Sequence, residues 1–153
     1  MNIVNNLENR ELSTKYSPLG EKGVLTFLGT GTSTGVPQLG CNCETCLSTD
    51  PKDKRLRCSA LITIKNKRIL IDAGPDLRQQ LIENKIYNID AILLTHEHYD
   101  HVGGLDDVRP LGGVKIYAEK NVLHAVERNM PYCFGKFKFP GVPNLKLVKI
   151  DEN

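Results

Sequence analysis

The sequence predicts an α/β fold in one domain, on three observations. Short apolar segments typical of strands alternate along the chain with segments whose apolar residues recur at helical spacing, which favours a layered architecture of strands and helices. The length of 153 residues is typical of a single domain. Hydrophobic residues make up 40% and charged residues 25% of the chain, a balance that indicates a globular protein and excludes an intrinsically disordered one.

The strands and helices follow from local patterns. The predicted strands are Val24–Leu28, Ser59–Ile64, Arg68–Asp72, Asp90–Leu94, Val114–Tyr117 and Asn144–Ile150. One helix begins at the start signal Gly74-Pro75-Asp76 and continues to about Asn84, and a second spans Glu119–Asn129. Lys65–Lys67 are short enough to join the second and third strands in a hairpin.

The remaining segments are predicted to be loops or extensions. Residues 1–22 are polar and lack periodicity, so we expect a flexible extension before a domain that spans residues 23–153 and includes a Cys-rich loop at 41–58. Gly29–Gly35 favours a tight turn over a phosphate cradle, because the loop lacks the ending of a P-loop. The period-two alternation over Tyr132–Phe139 favours a strand over a nucleic-acid platform.

Charge and cysteine content exclude several classes of protein. A net charge of +2 is too small to indicate a nucleic-acid partner, and the charge run at residues 52–57 predicts a solvated face rather than phosphate steering. No apolar run is longer than the four residues Ala91–Leu94, which excludes a membrane span. Met1–Lys15 lacks the apolar core of a secretory signal, and five cysteines are an odd number, so we expect a cytoplasmic protein without a disulfide framework.

The segment most informative about function carries His96, His98, Asp100 and His101 directly after the fourth predicted strand. In an extended chain, positions two apart lie on the same side, so the first three side chains converge. A turn at Gly103-Gly104 can then bring His101 inward. Because imidazole and carboxylate groups suit Zn²⁺ or a similar divalent ion, the pattern predicts a metal site; solvated loop histidines are the alternative.

A second candidate metal site is the C-x-C-x2-C loop formed by Cys41, Cys43 and Cys46. Three thiolates on one short loop suit zinc, but a structural zinc ion normally takes four ligands. Cys58 could supply the fourth, although its place at the start of a predicted strand favours a small buried residue. Free reduced thiols are the alternative to a metal site.

The H-x-H-x-D-H spacing after a strand resembles the signature of the metallo-β-lactamase-fold metallo-hydrolases. Further segments match one branch of that family, the cyclic-phosphate phosphodiesterases of phosphonate catabolism; they are Thr26–Ser33, Cys41–Cys46 and Leu70–Asp76. More distantly, the sequence resembles the transfer-RNA 3′-end processing endonucleases. The similarity runs from about Val24 to the C-terminus.

The resemblance implies an αββα sandwich, of which this sequence covers the N-terminal half, and a site for two divalent ions, Zn or Mn. His96 and His98 would hold one ion, and Asp100 and His101 would hold the other. A hydroxide bound between the two ions would attack a phosphodiester. Asp100 and Asp72 would be the catalytic carboxylates, Asp72 by orienting the ligands. A helix cap or turn residue is the alternative role for Asp72.

The resemblance also implies one structural zinc ion at Cys41, Cys43 and Cys46, and it shows what the chain lacks. The family completes its dinuclear site with further His and Asp residues downstream, but after His101 the one histidine is His124, which we expect to be an ordinary surface or core residue. The chain is therefore expected to be a fragment, or else to complete its site as a homodimer. A lone half would expose an apolar sheet face.

The predicted function is thus that of a metal-dependent phosphodiesterase with a small phosphodiester substrate and no membrane partner. A transfer-RNA 3′-processing endonuclease, with nucleic acid as its partner, and a non-catalytic zinc-binding fragment are the alternatives.

Overall fold

The computed structural model describes residues 23–136, 138 and 140–151. Six strands form one sheet whose order follows the chain. They are β1 Val24–Gly29, β2 Ser59–Ile64, β3 Lys67–Ile71, β4 Ala91–Leu93, β5 Gly113–Ala118 and β6 Asn144–Lys149. The pairs β1–β2 and β2–β3 are antiparallel, whereas β3 to β6 are parallel. The predicted α/β class is therefore confirmed.

The helices lie in the connections between strands. They are α1 Glu44–Leu47, α2 Leu77–Glu83, α3 Tyr99–Val102, α4 Lys120–Asn129 and α5 Pro131–Phe134, with short 3-10 helices at Pro51–Asp53 and Leu105–Leu111. The parallel pairs β3–β4 and β4–β5 require crossover connections, which α2 and the α3 region supply. No helix in the described part of the chain is both long enough and apolar enough to span a membrane.

One face of the sheet forms the hydrophobic core. Successive side chains of a strand point to opposite faces, and the residues on the core side are nearly inaccessible to solvent. They include Leu61, Leu70, Ile92, Ile116 and Leu145, one from each strand from β2 to β6. Leu77 and Leu81 of α2 and Val122 and Val126 of α4 belong to the same buried cluster. Each such side chain stabilises the fold by about 1.5–3 kcal/mol relative to an exposed position.

The opposite face carries a row of apolar residues that crosses every strand. The pairing registers place Phe27, Ala60, Ile71, Leu93, Tyr117 and Val148 side by side. None of them is buried, and Phe27 and Leu93 are 46% and 36% exposed. A groove of about 650 Å³ runs along this face between β3 and β5. We call this surface the open sheet face; it is the face that a half sandwich was expected to expose.

Several local expectations need correction. The hairpin loop has two residues, Lys65 and Asn66, both with positive φ, as a type I′ turn requires. Residues 131–134 form α5 rather than a strand, because Pro131 is suited to the first position of a helix and Cys133 is buried against the core. Phe137 and Phe139, and the predicted extension at 1–22, lie outside the described residues.

Candidate metal centre

The segment from Thr95 to His101, which we call the histidine segment, lies where two parallel strands end. Asp72 directly follows β3, and Thr95 comes two residues after β4, so both lie at the carboxyl ends of neighbouring strands. The strand predicted to reach Asp72 ends one residue earlier. The backbone N–H of Asp72 donates to the Leu93 carbonyl at 2.9 Å. The φ of Asp72 is +60°, a left-handed conformation that ends the strand.

Asp72 is the buried centre of this site, with 4% of its surface exposed. Its carboxylate accepts hydrogen bonds from the Thr95 backbone N–H at 2.8 Å and from the Thr95 hydroxyl at 2.8 and 3.0 Å. His101 Nδ1 lies 2.7 Å from Oδ2 of the same carboxylate. Asp72 thus contacts two residues of the histidine segment and does not cap a helix.

His101 reaches the site through a helical turn. The sequence predicts an extended chain from His96 to Asp100 followed by a turn at Gly103, but α3 begins at Tyr99, so Asp100 and His101 both lie in its first turn. The reason is that the carbonyl of His98 accepts hydrogen bonds from the N–H groups of His101 and Val102, at 2.9 and 3.2 Å. This helical turn places the Asp100 carboxylate beside His101.

The predicted ligands meet in pairs. The ring centroids of His96 and His98 are 4.7 Å apart, and those of His96 and His101 are 3.9 Å apart. Asp100 Oδ2 lies 3.2 Å from His101 Nε2. His98 is exposed and the other three are half-buried, so solvent reaches the cluster.

The pairing of His101 with Asp100 fits a cation. With Nδ1–H donated to Asp72, Nε2 of a neutral His101 ring is an acceptor, and it faces another acceptor, the Asp100 carboxylate. Such a contact is favourable only with a proton or a cation between the two atoms. Adjacent N and O ligands of one tetrahedral zinc ion are about 3.3 Å apart. The observed 3.2 Å agrees with that spacing.

The cysteine loop brings its three thiols closer than the histidine segment brings its side chains. Within the described residues, Cys41, Cys43 and Cys46 are the one group of three or more His, Cys, Asp or Glu whose donor atoms all lie within 4.8 Å of one another. The loop has one helical turn, α1, where the sequence predicts irregular chain, and the Gln38 N–H approaches Cys46 Sγ at 3.5 Å.

Two of the thiols, those of Cys43 and Cys46, have pKa values shifted in opposite directions. The hydrogen bond from the Cys46 backbone N–H, together with the neighbouring thiols, holds the pKa of Cys43 below its usual value. For Cys46, the N–H of Gln38 lowers the pKa, but the Cys41 and Cys43 thiols and partial burial outweigh it and raise the pKa overall. The loop therefore favours a thiolate at Cys43, the form in which cysteine binds metal.

Cys58 is not the small buried residue that its position suggested. It is exposed and lies outside the thiol group, whereas Ser59 is buried and donates its hydroxyl to the carbonyls of Ile71 and Asp72. The reason is the alternation of the strand, which begins at Ser59 with its side chain turned inward and leaves the preceding residue outside.

Sequence reasoning missed the contact that Thr95 makes within the site and, outside the site, the contacts of Arg57 and Arg55. Thr95, whose hydroxyl contacts Asp72, was not singled out, although its place directly before His96 is a usable signal. Arg57 was assigned to a solvated face, but its guanidinium pairs with Asp76 at 2.7 Å and donates to the Ser33 carbonyl at 2.9 Å. It thus joins the glycine-rich loop to Asp76 at the start of α2, and Arg55 donates to the Thr30 hydroxyl of the same loop at 2.8 Å. The other basic residues of the run are exposed as predicted.

Comparison with known proteins identifies the family. Residues 67–153, more than half of the chain, match the family described as the beta-lactamase superfamily domain. The chain belongs to this family. The predicted metallo-β-lactamase fold and family are confirmed.

Solved structures of the family superpose on most of the chain. A diphosphatase from the PhnP family is 38% identical with a TM-score of 0.75, and the match covers 84% of this chain and 51% of that one. Zinc-bound PqqB from Methylobacterium extorquens is 27% identical with a TM-score of 0.68 and is covered to 46%. The short form of human tRNase Z, at 20% identity and a TM-score of 0.56, shares the fold, with 82% of this chain and 44% of that one covered.

Relatives by sequence are longer than this chain. An octanoyltransferase from Porphyromonas gingivalis is 53% identical over 128 residues, which cover 81% of this chain and 26% of that protein. Coenzyme PQQ synthesis protein B from Methylobacterium nodulans is 32% identical over 117 residues, covering 67% of this chain and 39% of that protein. The chain thus spans between about a quarter and half of the length of the relatives that it matches.

Proposed function

We propose that the chain carries metal ligands of a metal-dependent hydrolase that acts on phosphodiesters. The observation that supports this most directly is the 3.2 Å approach of His101 Nε2 to the Asp100 carboxylate, while Nδ1 of the same ring is held by Asp72. Two acceptors at that spacing are suited to a shared cation. Membership of the beta-lactamase superfamily and the likeness to a diphosphatase support a reaction at phosphorus.

Each ligand has a defined role in this proposal. His96 and His98 would hold one divalent ion, Zn or Mn, and Asp100 and His101 would hold a second. Bound ions supply polarisation of a phosphoryl oxygen and a more acidic water molecule. Asp72 keeps the His101 ring in place, so that Nε2 rather than Nδ1 is available, and the exposed side of the cluster at His98 admits substrate.

The substrate class we propose is a small phosphodiester. The net charge of +2 supports this choice over a nucleic acid, because a strongly basic surface is the usual mark of a nucleic-acid partner. Octanoyl transfer is not proposed, because about three-quarters of the octanoyltransferase lies outside the match. A donor set of three imidazoles and one carboxylate also favours metal-assisted hydrolysis over acyl transfer.

The test measures metal content and turnover on the same preparations. Purified chain loaded with Mn²⁺ or Zn²⁺ is incubated with a chromogenic phosphodiester, next to the variants His98→Ala and His124→Ala. His124 is an exposed histidine of α4 outside the cluster, so its variant is a matched control. We expect turnover in the wild type and in His124→Ala and its loss, with a lower metal content, in His98→Ala.

Three results would contradict parts of the proposal. Wild-type chain that retains no stoichiometric metal at this cluster would overturn the ligand assignment. Chain that retains metal but turns over no phosphodiester would favour the second candidate, a non-catalytic zinc-binding module, or a fragment of the enzyme that lacks the remaining ligands. Cleavage of a precursor transfer RNA in preference to the small diester would favour an endonuclease.

We also propose that Cys41, Cys43 and Cys46 bind one structural zinc ion. The mutual proximity of their Sγ atoms, within 4.8 Å, and the lowered pKa of Cys43 support it. Elemental analysis should find one zinc fewer per chain in Cys43→Ser and no change in Cys58→Ser, since Cys58 lies outside the group. Equal zinc content in the two variants would contradict the assignment. The five unpaired cysteines support the cytoplasm as the compartment.

A further inference from the structure

The Thr95 hydroxyl lies between the buried carboxylate and a histidine ring that this carboxylate does not reach directly. Thr95 Oγ1 is 2.8 Å from Asp72 Oδ2, 3.0 Å from Asp72 Oδ1 and 2.9 Å from His96 Nδ1. It is also 3.5 Å from His101 Nδ1, but that nitrogen lies closer to Asp72, at 2.7 Å. The hydroxyl therefore has two strong neighbours, the Asp72 carboxylate and the His96 ring.

The number of protons decides the direction of these hydrogen bonds. A hydroxyl has one proton to donate, and an ionised carboxylate can only accept. Two acceptors, the carboxylate and a bare Nδ1, would compete for that proton, and a hydrogen bond to a charged acceptor is roughly twice as strong as one to a neutral acceptor. The proton therefore goes to Asp72. The hydroxyl oxygen then accepts, and the donor that remains is His96 Nδ1–H.

We propose that Thr95 is a positioning residue that transmits the influence of Asp72 to His96 and fixes its neutral ring in the Nδ1–H tautomer. Asp72 orders His101 by direct contact and His96 through the Thr95 hydroxyl. Both rings are then left with a bare Nε2, the atom able to bind a metal ion. One buried carboxylate thus prepares two ligands, and a single hydroxyl connects it to the second.

The placement of Thr95 supports this role over a purely structural one. Its backbone N–H also donates to Asp72, at 2.8 Å, so the residue stays beside the carboxylate when the hydroxyl is removed. The residue as a whole is exposed, so replacement by valine, which has the same shape, leaves the hydrophobic core untouched. Thr95→Val therefore removes the hydroxyl and little else, and Thr95→Ser retains it.

The first experiment reads the tautomers in the metal-free chain and does not depend on the proposed function. Nitrogen chemical shifts of isotope-labelled histidines distinguish Nδ1–H from Nε2–H. We expect His96 to be Nδ1–H in the wild type and in Thr95→Ser and to lose this preference in Thr95→Val. His101 should stay Nδ1–H in all three, because its bond to Asp72 is direct, and the exposed His124 should report an unchanged fold.

A wild-type chain with His96 in the Nε2–H tautomer would overturn the proposal without any variant being needed. An identical His96 tautomer in Thr95→Val and in the wild type would do so as well.

The second experiment rests on the proposed function and measures zinc binding at the histidine cluster by calorimetry, with Cys43→Ser in every chain so that the cysteine loop does not contribute. Because losing a group that orients a ligand typically costs 10- to 100-fold in metal affinity, we expect a loss of that size in Thr95→Val and recovery in Thr95→Ser. Equal affinity in wild type and Thr95→Val would overturn the role toward the metal. If no variant bound zinc while the tautomers behaved as expected, the proposed function would fail and the positioning role would remain.

Discussion

At the scale of single residues, Asp72 determines the order of the metal centre. It is buried, has a φ of +60° that few side chains tolerate, and accepts from one backbone N–H, one hydroxyl and one imidazole. Hydrogen bonds from three donors offset the free-energy cost of burying this carboxylate. Its removal would lower stability, because the donors would be left unpaired. Asp72 is thus a residue in which stability and ligand geometry depend on the same contacts.

Substitutions of Asp72 should therefore lower the free energy of unfolding by amounts that depend on how many hydrogen bonds the new side chain can still accept. We expect Asp72→Ala to lower the free energy of unfolding by about 3–5 kcal/mol, since three donors lose their acceptor. Asp72→Asn should cost less, because an amide keeps one acceptor oxygen and asparagine tolerates positive φ. Denaturant unfolding measures both. Asp107→Ala, which removes an exposed acid, is the control and should stay within about 0.5 kcal/mol of the wild type. Equal effects of Asp72→Ala and Asp107→Ala would contradict this account.

At the scale of elements, the site depends on the close approach of the loop after β3 to α3 and the turn that follows it. A Cβ atom at Gly74 would lie 2.1 Å from the Asp100 carbonyl oxygen, and one at Gly104 would lie 2.0 Å from the Gly74 carbonyl oxygen. The hydrogen bonds Ala73 N–H to His101 and Gly104 N–H to Ala73, each at 2.8 Å, hold the two segments together. Only glycine permits this distance, so the ligand-bearing turn is fixed against the sheet.

An alanine at Gly104 tests this packing. Because its Cβ would meet backbone atoms, which cannot move aside as a flexible side chain can, we expect Gly104→Ala to destabilise the chain by about 1–3 kcal/mol or more. Gly135→Ala is the matched control, since its Cβ would meet nothing closer than 3.6 Å. Thermal and denaturant unfolding of the two variants give the comparison, and similar stabilities would refute the steric argument.

At the ends of β3 and β4 that lie away from the metal centre, an ion pair with a defined pH dependence joins the first residue of β3 to the residue before β4. Lys67 lies 2.7 Å from Asp90, and the Arg68 N–H donates to the same carboxylate at 2.9 Å. Lys67, followed by the Arg68 N–H, holds the pKa of Asp90 below its usual value. The stabilisation is therefore present above about pH 3.9, the unfolded value, and is lost as pH falls through the lower folded pKa.

An asparagine at Asp90 should reveal that window. We expect Asp90→Asn to be less stable than the wild type at neutral pH, with the difference shrinking below about pH 4 as the wild-type carboxylate becomes protonated. Denaturation midpoints over a pH series measure it. A difference that stayed constant to the lowest pH would show that the pair does not contribute through charge.

The fold was largely predictable because its elements rest on local patterns. β2 has the predicted bounds, and the other strands differ by one or two residues, as at Asp72, where a left-handed φ ends β3. The spacing of the histidine segment also indicated that its side chains would lie close together. Contacts distant in sequence could not be predicted: Thr95 to Asp72 spans 23 residues and Arg57 to Asp76 spans 19, and no periodicity encodes either. The strand predicted from Tyr132 was wrong, because the period-two pattern takes no account of Pro131, which favours the start of a helix.

At the scale of the whole molecule, the sheet has two unequal faces. One is covered by α2 and α4 and holds the core, and the other presents the open sheet face. Apolar residues there form a continuous row across all six strands rather than isolated positions. Contiguous exposed apolar surface of this kind is typical of a protein–protein contact or a ligand-binding groove.

A neutral apolar dye should therefore bind the open sheet face. We expect its fluorescence with the wild-type chain to fall in Leu93→Glu, because Leu93 lies in the middle of the row. Leu39→Glu introduces the same charge at a fully exposed loop leucine and should leave the fluorescence unchanged. Sedimentation of the same samples shows whether association of chains covers the face. Identical dye binding by the two variants would contradict the assignment of this surface.

The order of the strands has a consequence for how the chain is made. Every strand pairs only with its nearest neighbours in sequence, from β1 to β6. Each new strand emerging from the ribosome therefore finds its partner already synthesised and waiting at the growing edge, so the sheet can be assembled in the direction of translation. The histidine segment, which follows β4, is then produced onto a scaffold of four strands that already holds the Asp72 backbone through Leu93 and Ser59.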